Sequence, residues 1–209
     1  MPPKAKFTKD EIVNAALDVV RKRGAGALTT RDIARELGVS TRPIFTYFNT
    51  MDEVRAAVRD AAEQRYLAYV DAGLAEEQPF RGFGKQYLRF AAEEPQLYRL
   101  LFFTRNAEGQ NGAVTVMEHA RDHAIGSVMK TYHVGEEAAA LYFRDMWIVV
   151  HGLATLIVSG CCPYTEAEMA EILMQCSYSI CSKAIKETAG FARSGFDSDT
   201  AFRQLIGED

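Results

Sequence analysis

Leu28-Thr-Thr-Arg-Asp-Ile-Ala-Arg-Glu-Leu-Gly-Val-Ser-Thr-Arg-Pro-Ile-Phe-Thr-Tyr-Phe48 is the stretch that decides the fold. Thr29 or Thr30 offers an N-cap hydroxyl, Ile33, Ala34 and Leu37 return at helical spacing, and Gly38 closes the segment, which predicts a helix of two turns. A tight turn at Gly38-Val39-Ser40 follows, where glycine meets the demand for a left-handed backbone that a Cβ penalises and Val39 plugs the angle between helices. Ser40 then caps a second helix, with Ile44, Phe45 and Phe48 expected to point inward. Two short helices about such a turn make a helix-turn-helix, one bracing against a nucleic-acid backbone and the next lying in the major groove. The exposed side keeps Thr30, Arg31, Thr41, Arg42, Thr46 and Tyr47, hydroxyl and guanidinium donors suited to phosphate oxygens and guanine edges.

Outward from this stretch the chain reads as helix nearly everywhere. Thr8-Lys9-Asp10-Glu11 is a capping box followed by Ile12, Ala15, Ala16, Val19 and Val20, and it predicts a helix over 8–23 that Gly24 ends. Thr50-Met51-Asp52-Glu53 opens another, running to about Leu74. Further helices are expected over 79–93, 95–104, 113–132, 136–159 and 165–188, divided by Pro95, the 106–112 loop, Gly135 and the 160–164 turn. Residues 190–209 read as a polar tail with a last turn at 200–205. The fold class is therefore all-α: a three-helix head joined by a long helix to a helical bundle, divided as 1–50, 51–190 and a tail 191–209.

Charge separates the same parts. The first fifty residues carry nine Lys/Arg against five Asp/Glu, a net of +4, which leaves −8 on the rest of a chain of 209 residues with net charge −4. A basic head on an acidic body suits a small module that faces a polyanion. At 48% apolar and 25% charged the composition excludes a disordered or collagen-like chain. Four cysteines make no disulfide framework, and Asp10, Glu11 and Asp18 interrupt any signal peptide, so the cytoplasm is the expected compartment. The uncharged run 146–165 approaches membrane-spanning length, but His151, Gly152, Ser159 and Pro163 favour a buried helix and a turn, with no membrane partner.

At 8–55 the chain resembles the tetracycline-repressor (TetR) family of bacterial transcriptional regulators, through LTTRDIARELGVS and the closing Ile44-Phe-Thr-Tyr-Phe48. The resemblance implies that Thr30 and Tyr47 contact phosphates and that Arg31, Thr41, Arg42 and Pro43 lie where family members meet bases. Phe45 stands where the pattern usually has a phosphate-donating tyrosine and Met51 where it often has a lysine; Lys4, Lys6 and Lys9 offer compensation from an N-terminal arm. The segment Phe90 to Phe103 and the set Trp147, His151 and Gly152 resemble one subgroup, whose last two helices pair with their copies as a four-helix dimer interface. Gly152, Ala154 and Ser159 are small enough for close helix approach. A homodimer on a palindromic double-stranded DNA operator follows as the expectation.

Aromatic residues crowd the middle of the chain. They are core first, but Tyr87, Phe102, Met117, Trp147 and His151 are the candidate lining for a small apolar or aromatic effector, because rings and thioethers adapt to varied apolar ligands. The long helix after Thr50, the only covalent link between head and body, is the expected lever for release of DNA. No catalytic residue, metal or cofactor is assigned, since no nucleophile stands with a base. The alternative is a helical-bundle metal- or thiol-dependent enzyme using His119, His123, His151 and the cysteines. His119 and His123 are four apart without a third ligand at a recognisable spacing, so an exposed pair on a charged face is the reading preferred. Cys161-Cys162 at a turn is either an oxidant sensor or an idle thiol pair.

Overall fold

The computed structural model describes residues 7–105, 109 and 111–188. The expected tail at 191–209 and the arm residues Lys4 and Lys6 lie outside them. Within the described residues the regular elements are helices, apart from one bridge pair between Arg105 and Asn111. The head holds α1 (Lys9–Arg23), a single 3-10 turn (Ala25–Ala27), α2 (Thr30–Leu37) and α3 (Ile44–Tyr47). The body holds α4 (Met51–Leu74), α5 (Pro79–Glu93), α6 (Pro95–Phe102), α7 (Gly112–Tyr132), α8 (Glu136–Ser159) and α9 (Glu166–Thr188).

Local chemistry sets these boundaries. At α1 the Thr8 hydroxyl accepts from the Glu11 amide at 3.1 Å while the Glu11 carboxylate accepts from the Thr8 amide at 2.7 Å, the reciprocal capping box. Thr29, rather than Thr30, caps α2, accepting from the Asp32 amide at 3.2 Å. Gly38 ends α2 at φ +66°, the left-handed conformation the turn demands. Thr50 caps α4 through the Glu53 amide, and the Glu53 carboxylate reaches the Asn49 amide, one residue earlier than a capping box would.

Three expectations are corrected. Ser40 caps nothing and α3 starts only after Pro43, because a proline drives the residue before it out of the helical region. Phe45 is 54% exposed instead of inward. On a one-turn helix Ile44 and Phe48, at i and i+4, share the buried face, and Phe45 lies about 100° around from it. Ala154 is fully buried in its own bundle, so of the three small residues only Gly152 and Ser159 are exposed on α8.

Beneath α1, α2 and α3 a small core of Ile12, Ala16, Val19, Ile33, Ile44 and Phe48 continues into the body through Val54 and Val58 of α4. There α4 and α5 cross almost backbone to backbone: a Cβ at Gly82 would lie 2.2 Å from the Gly73 carbonyl oxygen, and one at Gly73 2.6 Å from the Gly82 carbonyl. Helix α8 is long and apolar enough to cross a bilayer, with mean hydropathy 1.4. Its Ala139, Phe143, Met146, Val150 and Ala154 instead fill the core, while Leu141 and Ile148 stay exposed, as do Met174 and Tyr178 on α9, the helix packed against it.

Candidate functional site

The head presents the turn between α2 and α3 as its free surface. Four of its cations are spent on carboxylates: Arg21 on Glu94, Lys22 on Glu36, and Arg23 and Arg35 together on Asp32, whose carboxyl is held below its usual range by the Thr29 hydroxyl and these guanidinium groups. Arg31 and Arg42 differ. Both are exposed, and among the described residues neither guanidinium has a hydrogen bond or an ion pair. Thr30, Thr41 and Pro43 are half-buried around them, and Thr46 is exposed, its hydroxyl 3.5 Å from the Arg42 carbonyl. Tyr47 donates its hydroxyl proton to the Phe7 carbonyl at 2.8 Å, so that proton is committed within the protein. Lys9 lies over the Phe48 ring, 5.3 Å from its centre.

Head and body are joined by more than the α4 backbone. Glu94, between α5 and α6, is 4% exposed and receives two hydrogen bonds from Arg21 of α1 at 2.7 and 2.8 Å and another from Arg65 of α4 at 2.8 Å. Burial alone would raise its carboxyl, but the two guanidinium groups overcome this and hold it below the usual range. At the other end of α6, Arg59 donates to the Leu100 and Leu101 carbonyls at 2.7 and 2.8 Å and to the Thr104 hydroxyl at 2.9 Å, satisfying carbonyls that a helix end leaves open. Helix α6 is thus clamped at both ends to α4 and, through Arg21, to the head.

A testable consequence follows for Glu94. Its lowered pKa means that its contribution to stability is complete above the ordinary value of 4.5 and is lost as pH falls through the folded-state value. Glu94→Gln keeps the shape but strands two half-exposed guanidinium groups that water can resolvate, and is expected to cost about 1–3 kcal/mol at pH 7. Urea unfolding at pH 7 and again near pH 3 checks this: the difference between variant and parent is expected to shrink at the lower pH.

Helix α6 also carries two members of a buried ring cluster. Tyr98 and Phe102 meet Tyr87 of α5, Tyr66 of α4, and Trp147 and His151 of α8. Trp147 stacks on His151 with ring centres 4.5 Å apart and planes at 11°. The Tyr87 and Tyr98 hydroxyls lie 2.9 and 2.8 Å from the same His151 Nδ1, and the Tyr98 hydroxyl is 3.2 Å from that of Thr155. Burial lowers the His151 pKa, keeping the ring neutral at pH 7, and pushes the Tyr98 phenol up to about 12.

Four of the five lining residues expected from sequence, Tyr87, Phe102, Trp147 and His151, therefore come together. Met117, on α7, is partly buried against the same core. The reading from sequence left out Tyr66, Tyr98 and Thr155. The i, i+4 spacing of Tyr98 with Phe102 and of His151 with Thr155 was the available signal.

The remaining histidines and cysteines do not assemble a centre. His119 pairs through Nδ1 with Glu63 of α4, and His123 with Asp71 at 2.7 Å, so both tie α7 to α4. His133 ends α7, and the described residues contain no group of three potential metal ligands. All four cysteines are free thiols; Cys161 is exposed, and Cys162 Sγ lies 3.8 Å from Met169 Sδ.

Comparison with known proteins covers both parts. Residues 12–58 match the model of bacterial regulatory proteins of the tetR family, and residues 80–176 match the tetracyclin repressor-like C-terminal domain. Among curated proteins the chain is 24% identical to the HTH-type transcriptional regulator Rv0681 of Mycobacterium tuberculosis, over 75% of this chain and 72% of that one. It is 33% identical to the HTH-type transcriptional regulator BetI of Escherichia coli, over 43% of this chain and 58% of that one. Among solved structures, the multidrug binding protein EbrR complexed with ethidium shares the fold at a TM-score of 0.58 and 19% identity, over 84% of this chain and 99% of that one. Two family matches in chain order, one on the head and one on the body, together take in more than half of the residues, and the chain belongs to the TetR family of DNA-binding transcriptional regulators.

Proposed function

We propose that the chain is a cytoplasmic homodimeric repressor that holds a palindromic operator with residues 1–50 and releases it when residues 51–190 bind a small apolar or aromatic effector. The observation that carries the DNA half is the pair Arg31 and Arg42, exposed and unpaired among the described residues, while Arg21, Lys22, Arg23 and Arg35 are spent on carboxylates. In this reading Arg31 and Arg42, with Thr41 and Pro43, meet bases, while Thr30, Thr46 and Tyr47 fix the phosphate backbone. Tyr47 does so by accepting, or by giving up the Phe7 carbonyl. The exposed Leu141, Ile148, Met174 and Tyr178 support pairing of α8 and α9 with a second copy, since a face of that kind is otherwise an aggregation hazard. Trp147 and His151 in one stack support the subgroup marked by Trp147, His151 and Gly152.

Release follows from the clamps on α6. An effector among the rings displaces Tyr98 and Phe102, and the Arg59 and Glu94 contacts pass that shift to α4 and α1, changing the separation of the two heads. Reciprocity requires the effector to prefer the arrangement that does not fit DNA; a preference of about 100-fold weakens the operator by up to the same factor. The bound ethidium in a protein of the same fold supports a ligand of this size.

The test is a binding series on DNA from the chain's own upstream region at fixed salt. Arg42→Ala is expected to cost about 1–3 kcal/mol per half-site and to relax one position of specificity. Tyr47→Phe is expected to weaken all sequences alike. Unchanged operator discrimination by Arg42→Ala would remove the assignment.

A further inference from the structure

Two buried side-chain polar atoms among the described residues have no hydrogen-bond partner, the Tyr66 hydroxyl and Trp147 Nε1. Tyr66 is fully buried and Trp147 is 7% exposed. They come from different helices, α4 and α8, yet flank the same ring: Phe102 of α6 lies 5.5 Å from Tyr66, edge to face, and 6.5 Å from Trp147. The hydroxyls around them are already engaged, Tyr87 and Tyr98 on His151 Nδ1 and Tyr98 also on Thr155. Buried polar groups are nearly always paired, because an unpaired one forfeits its hydrogen bond to water with nothing in exchange. Two such groups about one side chain mark a place where acceptors are missing.

The chemistry of what is missing can be read from its surroundings. An indole N–H only donates, and a phenol with no partner has its proton to give, so the complement is an acceptor. Among the described residues no Lys, Arg, Asp or Glu side chain hydrogen-bonds to any ring of the cluster, and Glu63, whose charge reaches Tyr66, is held by His119 at the outer edge. With His151 neutral, a carboxylate or ammonium placed here would be buried without a counter-charge. Trp147 and Tyr98 both stack on His151, and a site built from stacked rings favours an aromatic guest.

From this geometry we infer that the cluster binds an uncharged aromatic compound bearing a carbonyl-type oxygen, which accepts from Trp147 Nε1 and the Tyr66 hydroxyl as Phe102 gives way. The inference rests on the effector reading above and narrows it to a chemical class. A carbonyl oxygen has two lone pairs and can serve both donors, whereas a plain hydrocarbon of equal shape leaves them as they are.

Equilibrium dialysis of the full chain against four probes of similar size tests it: 1-tetralone, its hydrocarbon tetralin, the anion 2-naphthoate and the cation 1-methylquinolinium. The ketone is expected to bind about tenfold or more tighter than tetralin, the worth of one or two net hydrogen bonds, although tetralin is the more hydrophobic. Both ions are expected to bind at least about tenfold more weakly than the ketone. In Tyr66→Phe and in Trp147→Phe the advantage of the ketone is expected to shrink to about threefold or less. Without ligand, Tyr66→Phe is expected to melt no lower than the parent, since the hydroxyl it removes is bonded to nothing; a clear fall would show that atom already satisfied and would overturn the inference. Equal binding of ketone and hydrocarbon, or tightest binding of an ion, overturns the chemical class and leaves the effector site standing. If none of the four binds and none alters operator affinity, the effector site in the ring cluster fails with it.

Discussion

Ile148→Arg is expected to turn the chain into a 23.3 kDa monomer in solution and to lower its affinity for a two-half-site operator by about 10²–10⁴. Ile148 is 58% exposed on α8, in line with Leu141 one heptad before it, and Met174 and Tyr178 are exposed on α9, the helix packed against α8. In the proposed dimer a two-fold axis makes the interface isologous, so one substitution would place two guanidinium groups in an apolar face, each desolvated. The loss on DNA exceeds any single base contact because the second head then binds as a separate molecule. The monomer is expected to keep its helical circular dichroism and its weak affinity for one half-site. Light scattering that finds Ile148→Arg still dimeric would place the interface elsewhere, and a monomeric parent would remove the dimer altogether.

Gly82→Ala is expected to destabilise the fold by about 3 kcal/mol or more, the upper end for overpacking, because the atom its methyl meets is the Gly73 carbonyl oxygen at 2.2 Å, a backbone group that cannot turn aside. For a chain of this length that is a fall of about 6–12 °C in melting temperature. Gly126→Ala makes the matched control. Gly126 sits mid-helix in α7 with open space where its Cβ would go, and the same change there is expected to add about 0.5–1 kcal/mol by removing glycine's backbone freedom. Opposite signs from one substitution type isolate the α4/α5 crossing as the cause. Equal effects at the two positions would refute the close approach.

Helix existence was legible along nearly the whole described chain because the signals were local. Thr8, Thr50 and Pro95 mark starts that need only a few neighbouring residues to be read. The errors have equally specific causes. Ser40 has the right residue type for a cap, but Pro43 three residues on prevents the helix from starting there. Phe45 was placed inside because it is apolar, while burial on a four-residue helix is settled by angle rather than by hydrophobicity.

The ring cluster was legible as a crowd of aromatics but not as a set. Tyr66 lies 81 positions before Trp147, and only the packing of α4, α6 and α8 makes both of them neighbours of Phe102. Glu94 carried no assigned role in the sequence, since its partners, Arg21 and Arg65, are 73 and 29 residues away. Contacts at that separation leave no trace in periodicity or capping.

That carboxylate also bears on how heads and bodies can be exchanged between relatives. A chimera cut at residue 50 would carry Arg21 into a foreign body lacking its acceptor, and would leave Glu94 behind with Arg65 alone. The transferable unit is therefore not the first fifty residues as a block but those residues together with a glutamate at the α5/α6 junction. Grafts that respect this pairing are expected to pass the effector signal to the new recognition turn, and grafts that ignore it to bind DNA while ignoring the ligand.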